Sequence, residues 1–112
     1  MIHILLIAVD SEIARLASRL IKRNGFSVDV ITNPDETPSV KPGLIIFDCD
    51  MSPEKGLKKY DMLLQKYHGT KILWISSDAA EEVEALECGA DDWVKKPLNV
   101  DVLLARIKRL CK

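Results

Sequence analysis

The chain has 112 residues, of which 47% are hydrophobic and 29% charged, with 16 basic and 17 acidic side chains for a net charge of −1. One domain spanning 1–112 is what this length supports, with enough apolar sequence for a core. The balanced charge excludes the basic face that nucleic acid demands.

The longest apolar run, residues 4–9, is far short of the roughly 20 residues a membrane-spanning helix needs. It also lacks the basic start and small-residue cleavage site of a secretory signal, so the expectation is a cytoplasmic protein without a membrane partner. Cys49, Cys88 and Cys111 are odd in number and share no metal or redox spacing. They read as reduced, mostly buried small hydrophobes. His3 and His68 have no partner at ligand spacing and read as incidental.

The stretch "HILLIAV" at 3–9 is continuously apolar, as in a strand buried on both faces. "SEIARLASRLIKRNG" follows with Ile13, Leu16, Leu20 and Ile21 at helical spacing, Ser11 as N-cap and Asn24-Gly25 as stop. "FSVDVI" at 26–31 alternates like an edge strand. "TNPDETPSVKPG" then carries Pro34, Pro38 and Pro42 and has room for at most a turn or two of helix. "LIIF" at 44–47 is the next buried strand, and 57–67 reads as a helix with Tyr60, Leu63, Leu64 and Tyr67 inward. "KILWIS" at 71–76 is a strand, "AAEEVEALECG" a short helix ending at Gly89, and "DWVK" at 92–95 a last strand. "NVDVLLARIKRLCK" closes the chain as a helix capped by Asn99, basic toward its end. Strands alternating with helices predict an open α/β parallel sheet covered on both faces. Right-handed crossovers leave the doubly wound strand order 2-1-3-4-5.

In such a sheet the site lies at the carboxyl ends of the strands. Strand one delivers Asp10, strand three Asp48 with Asp50 two residues on, strand four Ser76 and Ser77, and strand five Lys95 and Lys96. Taken singly, Asp10 or Ser11 can cap a helix, Ser76 can begin a loop and Lys96 can be solvated. Together they form a site suited to capturing a phosphoryl group. Carboxylate oxygens hold Mg²⁺, which joins them to phosphate oxygens. Asp48 can act as nucleophile and form an aspartyl phosphate. Lys96 and the Ser76 hydroxyl can then meet the negative charge spread over the equatorial oxygens.

The whole chain resembles the receiver domain of two-component response regulators. "LLIAVDSE" is similar to that family's first strand, and "LIIFDCDMSPEKGL" to its phosphoacceptor segment, with Asp48 at the acceptor position. "WISS" puts Ser76 at the Ser/Thr switch position. "ECGADDWVKKPL" carries the most specific likeness, placing Trp93 at the switch aromatic and Lys96 at the phosphate-contacting lysine before a proline. The resemblance implies a flavodoxin-like fold and a metal site of Asp10, Asp48 and Asp50. It also implies a Lys96-Pro97 cis bond and a signalling role rather than an enzymatic one. A histidine kinase or phosphotransfer protein would supply the phosphoryl group. Ser76 and Trp93, moving inward, would then reshape the face of the fourth helix, fifth strand and fifth helix, and a downstream protein or output domain would read that face.

Several positions depart from the family's pattern. Ser11 stands where the second acid of the first strand would bind the metal, Pro53 comes one place late after Ser52, and the stretch from Ser76 to Lys96 is short. The second helix is reduced by its three prolines. Losing a direct ligand weakens Mg²⁺ more than the roughly 10–100-fold typical of outer-sphere losses, with Asp50, or more weakly Glu12, in a position to compensate. Two other functions fit the same residues. One is a receiver-like interaction module that no longer depends on phosphorylation. The other is a haloacid-dehalogenase-like phosphatase, to whose Asp-x-Asp motif "IIFDCDMS" is similar, although that motif falls on the third strand here.

Overall fold

The structure, a computed structural model, describes residues 2–48 and 51–112. Five parallel strands form the sheet: β1 (His3–Ala8), β2 (Ser27–Ile31), β3 (Leu44–Asp48), β4 (Lys71–Ser76) and β5 (Asp92–Lys95). They lie in the order β2-β1-β3-β4-β5, the doubly wound arrangement expected. Side chains alternate across the sheet, so an unbroken apolar strand feeds two cores at once. Ile4, Leu6 and Ala8 join one cluster under helices α1 (Ser11–Arg23) and α5 (Val100–Leu110). Leu5, Ile7, Phe47 and Trp74 join the other, which meets α2 (Pro53–Lys59), α3 (Asp61–Lys66) and α4 (Glu81–Glu87). Each fully buried Ile or Leu contributes roughly 1.5–3 kcal/mol, which is why β1 and β3, with almost no exposed side chain, anchor the centre.

Most predicted elements stand where the pattern put them, and four details differ. The N-cap of α1 is Asp10 rather than Ser11. β1 ends at Ala8, Asp10 keeps extended backbone, and its Oδ1 accepts from Glu12 N (2.9 Å) and Ile13 N (3.3 Å). The helix expected at 57–67 begins earlier, with Pro53 in its first turn, and breaks at Tyr60 into α2 and α3. Tyr60, Leu63 and Tyr67 are nonetheless buried and Leu64 half-buried, as expected. The proline-rich segment after β2 holds no helix among the described residues, so the second helix is absent rather than reduced. Cys88 is exposed and Cys111 half-buried, so "mostly buried" fails for these two, and Cys49 lies outside the described residues.

His3 is not incidental. Residues 3, 27 and 29 share one face of the β1–β2 pair, in register His3↔Ser27. The imidazole bridges Ser27 Oγ (2.6 Å from Nδ1) and Asp29 Oδ2 (2.8 Å from Nε2). The same carboxylate oxygen accepts from Ser39 N (2.7 Å) and Ser39 Oγ (2.9 Å), tying the proline-rich segment to the sheet edge in place of a packed helix. Burial alone would raise the Asp29 pKa, but the Ser39 amide, His3 and the Ser39 hydroxyl outweigh it, and the net shift is downward. A depressed carboxyl pKa adds stability above its unfolded value that is lost as pH falls through the folded one. Asp29→Ala should therefore cost about 1–2 kcal/mol at neutral pH and progressively less in acid. Amide exchange in the 32–43 segment should accelerate in this variant, and unchanged protection there would refute the clamp.

Candidate functional site

Strand register assembles the carboxyl-end rim. Asp48 ends β3 between Ala8 of β1 and Ile75 of β4, and Ser76 pairs with Lys95. Two backbone bonds extend the ladder past the strands: Val9 N to Asp48 O (3.0 Å) and Lys96 N to Ser76 O (2.9 Å). Asp10, Asp48, Ser76 and Lys96 thereby stand along one edge although far apart in sequence. Asp48 and Ser76 are buried polar residues, Asp48 completely. A buried carboxylate requires a compensating charge. Lys96, only 21% exposed, supplies it by an ion pair from Nζ to Asp48 Oδ1. The Lys96-Pro97 bond is cis, as the resemblance implied.

Trp93 lies on β5 opposite Trp74 and donates from Nε1 to Ser76 Oγ at 2.8 Å. It is half-buried and packs against the second core cluster. Accepting from Trp93 leaves the Ser76 hydroxyl its own proton to donate.

Glu81, at the start of α4, is one of four glutamates on that helix, and nothing in the sequence distinguishes it from the others. Burial and then the Asp78 carboxylate push its carboxyl up, and the Ser76 hydroxyl and Trp74 indole only partly offset this. The Trp74 N–H reaches Glu81 electrostatically without a hydrogen bond of normal geometry, and among the described residues it has no hydrogen-bond partner. The two acids of the Gly-Ala-Asp-Asp stretch have structural work. Asp91 Oδ2 accepts from Ile72 N (2.8 Å), and Asp92 pairs with Arg106 (3.6 Å) and Arg109, which draws α5 onto β5. No spacing rule separates such roles from catalytic ones.

The residues expected to hold a metal are less fully assembled. Asp10 and Asp48 occupy neighbouring strand ends, a donor chemistry that suits Mg²⁺. One Asp10 oxygen is engaged in capping α1, and Ser11 is an exposed first residue of that helix. Asp50 lies outside the described residues, and among the described residues no three His, Cys, Asp or Glu gather as a metal cluster. No helix among them is long and apolar enough to cross a membrane.

Comparison with known proteins agrees with this geometry. The family model for the response regulator receiver domain matches residues 4–108. Protein PetR of Rhodobacter capsulatus is 32% identical over 98% of this chain and 48% of its own length. The transcriptional regulatory protein CpxR of Escherichia coli K12 is 30% identical over 97% and 49%. The chain thus spans about half the length of the curated relatives it matches. In fold, it superimposes on the chemotaxis response regulator CheY4 of Vibrio cholerae with a TM-score of 0.81, at 22% identity and over 98% of both chains. Strand order, the acidic tip of β3 and the lysine just past β5 thus agree with the family match over nearly the whole chain, and the phosphatase reading loses its footing: this chain belongs to the response regulator receiver domain family of two-component systems.

Proposed function

We propose that Asp48 is the phosphoacceptor of this receiver, that Lys96 and Ser76 stabilise the acquired phosphoryl group, and that Trp93 with Ser76 transmits its presence to α4, β5 and α5. The observation that carries this reading is the ion pair between Lys96 and the fully buried Asp48. An Asp48 oxygen bonds to phosphorus as the bond from phosphorus to the donor breaks, the donor leaving with the electron pair. Lys96 then follows the negative charge outward from the carboxylate to the phosphoryl oxygens, and the Ser76 hydroxyl donates to the same group. Asp10, Asp48 and Asp50 would hold Mg²⁺, which supplies neutralisation of the charge built up during transfer. The donor fitting this chemistry is a histidine kinase or phosphotransfer protein. The reader of the switched face is a downstream protein or output domain, in keeping with relatives about twice this length. Phosphorylation acts by biasing an equilibrium between two arrangements.

Incubation with Mg²⁺ and a small acyl phosphate should add one phosphoryl group by intact mass, with none on Asp48→Asn. Ser76→Ala should still accept the group yet lose the accompanying change in tryptophan fluorescence. No adduct at high donor and metal would overturn the proposal in favour of an interaction module independent of phosphorylation. An adduct persisting on Asp48→Asn would move the acceptor elsewhere.

A further inference from the structure

On the face of the molecule away from α4, helices α1 and α5 leave a groove of about 500 Å³ lined by Leu16, Arg19, Leu20, Arg23, Asn24 and Val100. Leu16 and Val100 are 37% and 46% exposed there. Helical spacing sets Leu16 and Leu20 in one row and Arg19 and Arg23 in the next. On the opposite face, α4 presents the reverse. Val83 and Leu86 are 62% and 45% exposed, flanked by exposed Glu82 and Glu87, and the helix has no basic residue in its last turn.

Among the described residues, ion pairs at the surface join Glu54 with Lys58, Asp29 with His3, and Asp92 with Arg106 and Arg109. Among the described residues, neither Arg19 and Arg23 nor Glu82 and Glu87 make any such pair. The two surfaces thus each combine a short apolar ridge with uncompensated charge, of opposite sign. Complementary potentials around an apolar centre are what steer and register a protein contact.

We infer that the α1–α5 groove is a docking site for the α4 helix of a second copy of this chain, Val83 and Leu86 entering between Leu16, Leu20 and Val100 while Glu82 and Glu87 face Arg19 and Arg23. Because the two surfaces lie on opposite faces of the sheet, the contact is head-to-tail. Each docked copy leaves one groove and one α4 free, and growth continues with concentration rather than closing at a dimer. Exposed ion pairs are individually weak and screened by salt, so the association is weak and favoured at low ionic strength. It requires no phosphoryl group on Asp48, although phosphorylation should alter it, since α4 belongs to the face proposed to be reshaped.

Sedimentation of the 112-residue chain at concentrations up to the order of 1 mM in low salt should show an average mass that rises with concentration, and falls back at about 0.5 M salt. Arg19→Glu with Arg23→Glu should weaken this about tenfold or more, as should Glu82→Lys with Glu87→Lys. All four positions are exposed, so circular dichroism should match the parent. Mixing the two reversed variants should restore association, since each then meets an oppositely charged surface on the other. A chain that stays monomeric throughout overturns the inference. Association untouched by either reversal, or reversed variants that fail to associate when mixed, overturns it equally.

Discussion

Lys96→Ala should unfold about 3 kcal/mol more easily than the parent at neutral pH in the absence of Mg²⁺, because it leaves the Asp48 carboxylate in the interior without its cation. The argument rests on burial rather than on the strength of the pair. Asp48 has no exposed surface and Lys96 has little, so water replaces the ammonium only in part once it is gone. An exposed pair such as Glu54–Lys58 would cost a small fraction of this if broken. The check is a double-mutant cycle in urea with a chelator present. Asp48→Asn alone should be nearly neutral or stabilising, and adding it to Lys96→Ala should recover most of the loss. If the double variant is as unstable as Lys96→Ala, the lysine matters for its packing, and the electrostatic account of the site fails. Restoring Mg²⁺ to Lys96→Ala should return part of the lost stability through linkage, which would identify the metal and the lysine as alternative counter-charges for one carboxylate.

The sheet was readable from sequence because burial on both faces leaves a signal no surface element imitates. "HILLIAV" and "LIIF" have almost no polar residue to offer, and β1 and β3 occupy the centre accordingly. The rim followed from topology: once the strands are parallel and ordered, Asp48, Ser76 and Lys96 can only end on the same side. What could not be read depends on side chains meeting across strands. His3 looked idle because its partners are 24 and 26 residues away, brought together only by the β1–β2 register. The Asp10 cap turned on where β1 stops, and Ser11 one position later offers an equally good capping side chain. The break at Tyr60 has no proline or glycine to announce it. The inward setting of Trp93 depends on its bond to Ser76, and nothing in the spacing of the two residues specifies that the indole N–H points there.

Trp74→Ala should cost about 4 kcal/mol, a large part of the roughly 5–15 kcal/mol that keeps a domain folded, and should disturb the Trp93–Ser76 contact as well as the core. Phe47, Trp74 and Trp93 are register partners across β3, β4 and β5, so they form one aromatic row on a single face of the sheet. Trp74 is fully buried and stacked on Phe47, with centroids 5.1 Å apart at 22°, and Phe47 in turn meets the edge of Tyr60 at 5.5 Å. Removing the middle ring empties the space against which Trp93 rests, and with it the support for the Trp93–Ser76 bond. Trp93 fluorescence in Trp74→Ala should therefore report a wetter indole even under conditions where the domain stays folded. Trp74→Phe separates the ring from its N–H. That N–H is buried without a hydrogen-bond partner among the described residues, so its attraction to Glu81 offsets only part of its desolvation cost. The phenyl variant should keep the stack on Phe47 and lose only about 1–2 kcal/mol, mostly from the smaller volume. Urea unfolding of the two variants side by side decides the matter. A phenylalanine loss as large as the alanine loss would mean that the indole N–H, through Glu81, contributes most of what Trp74 gives this fold.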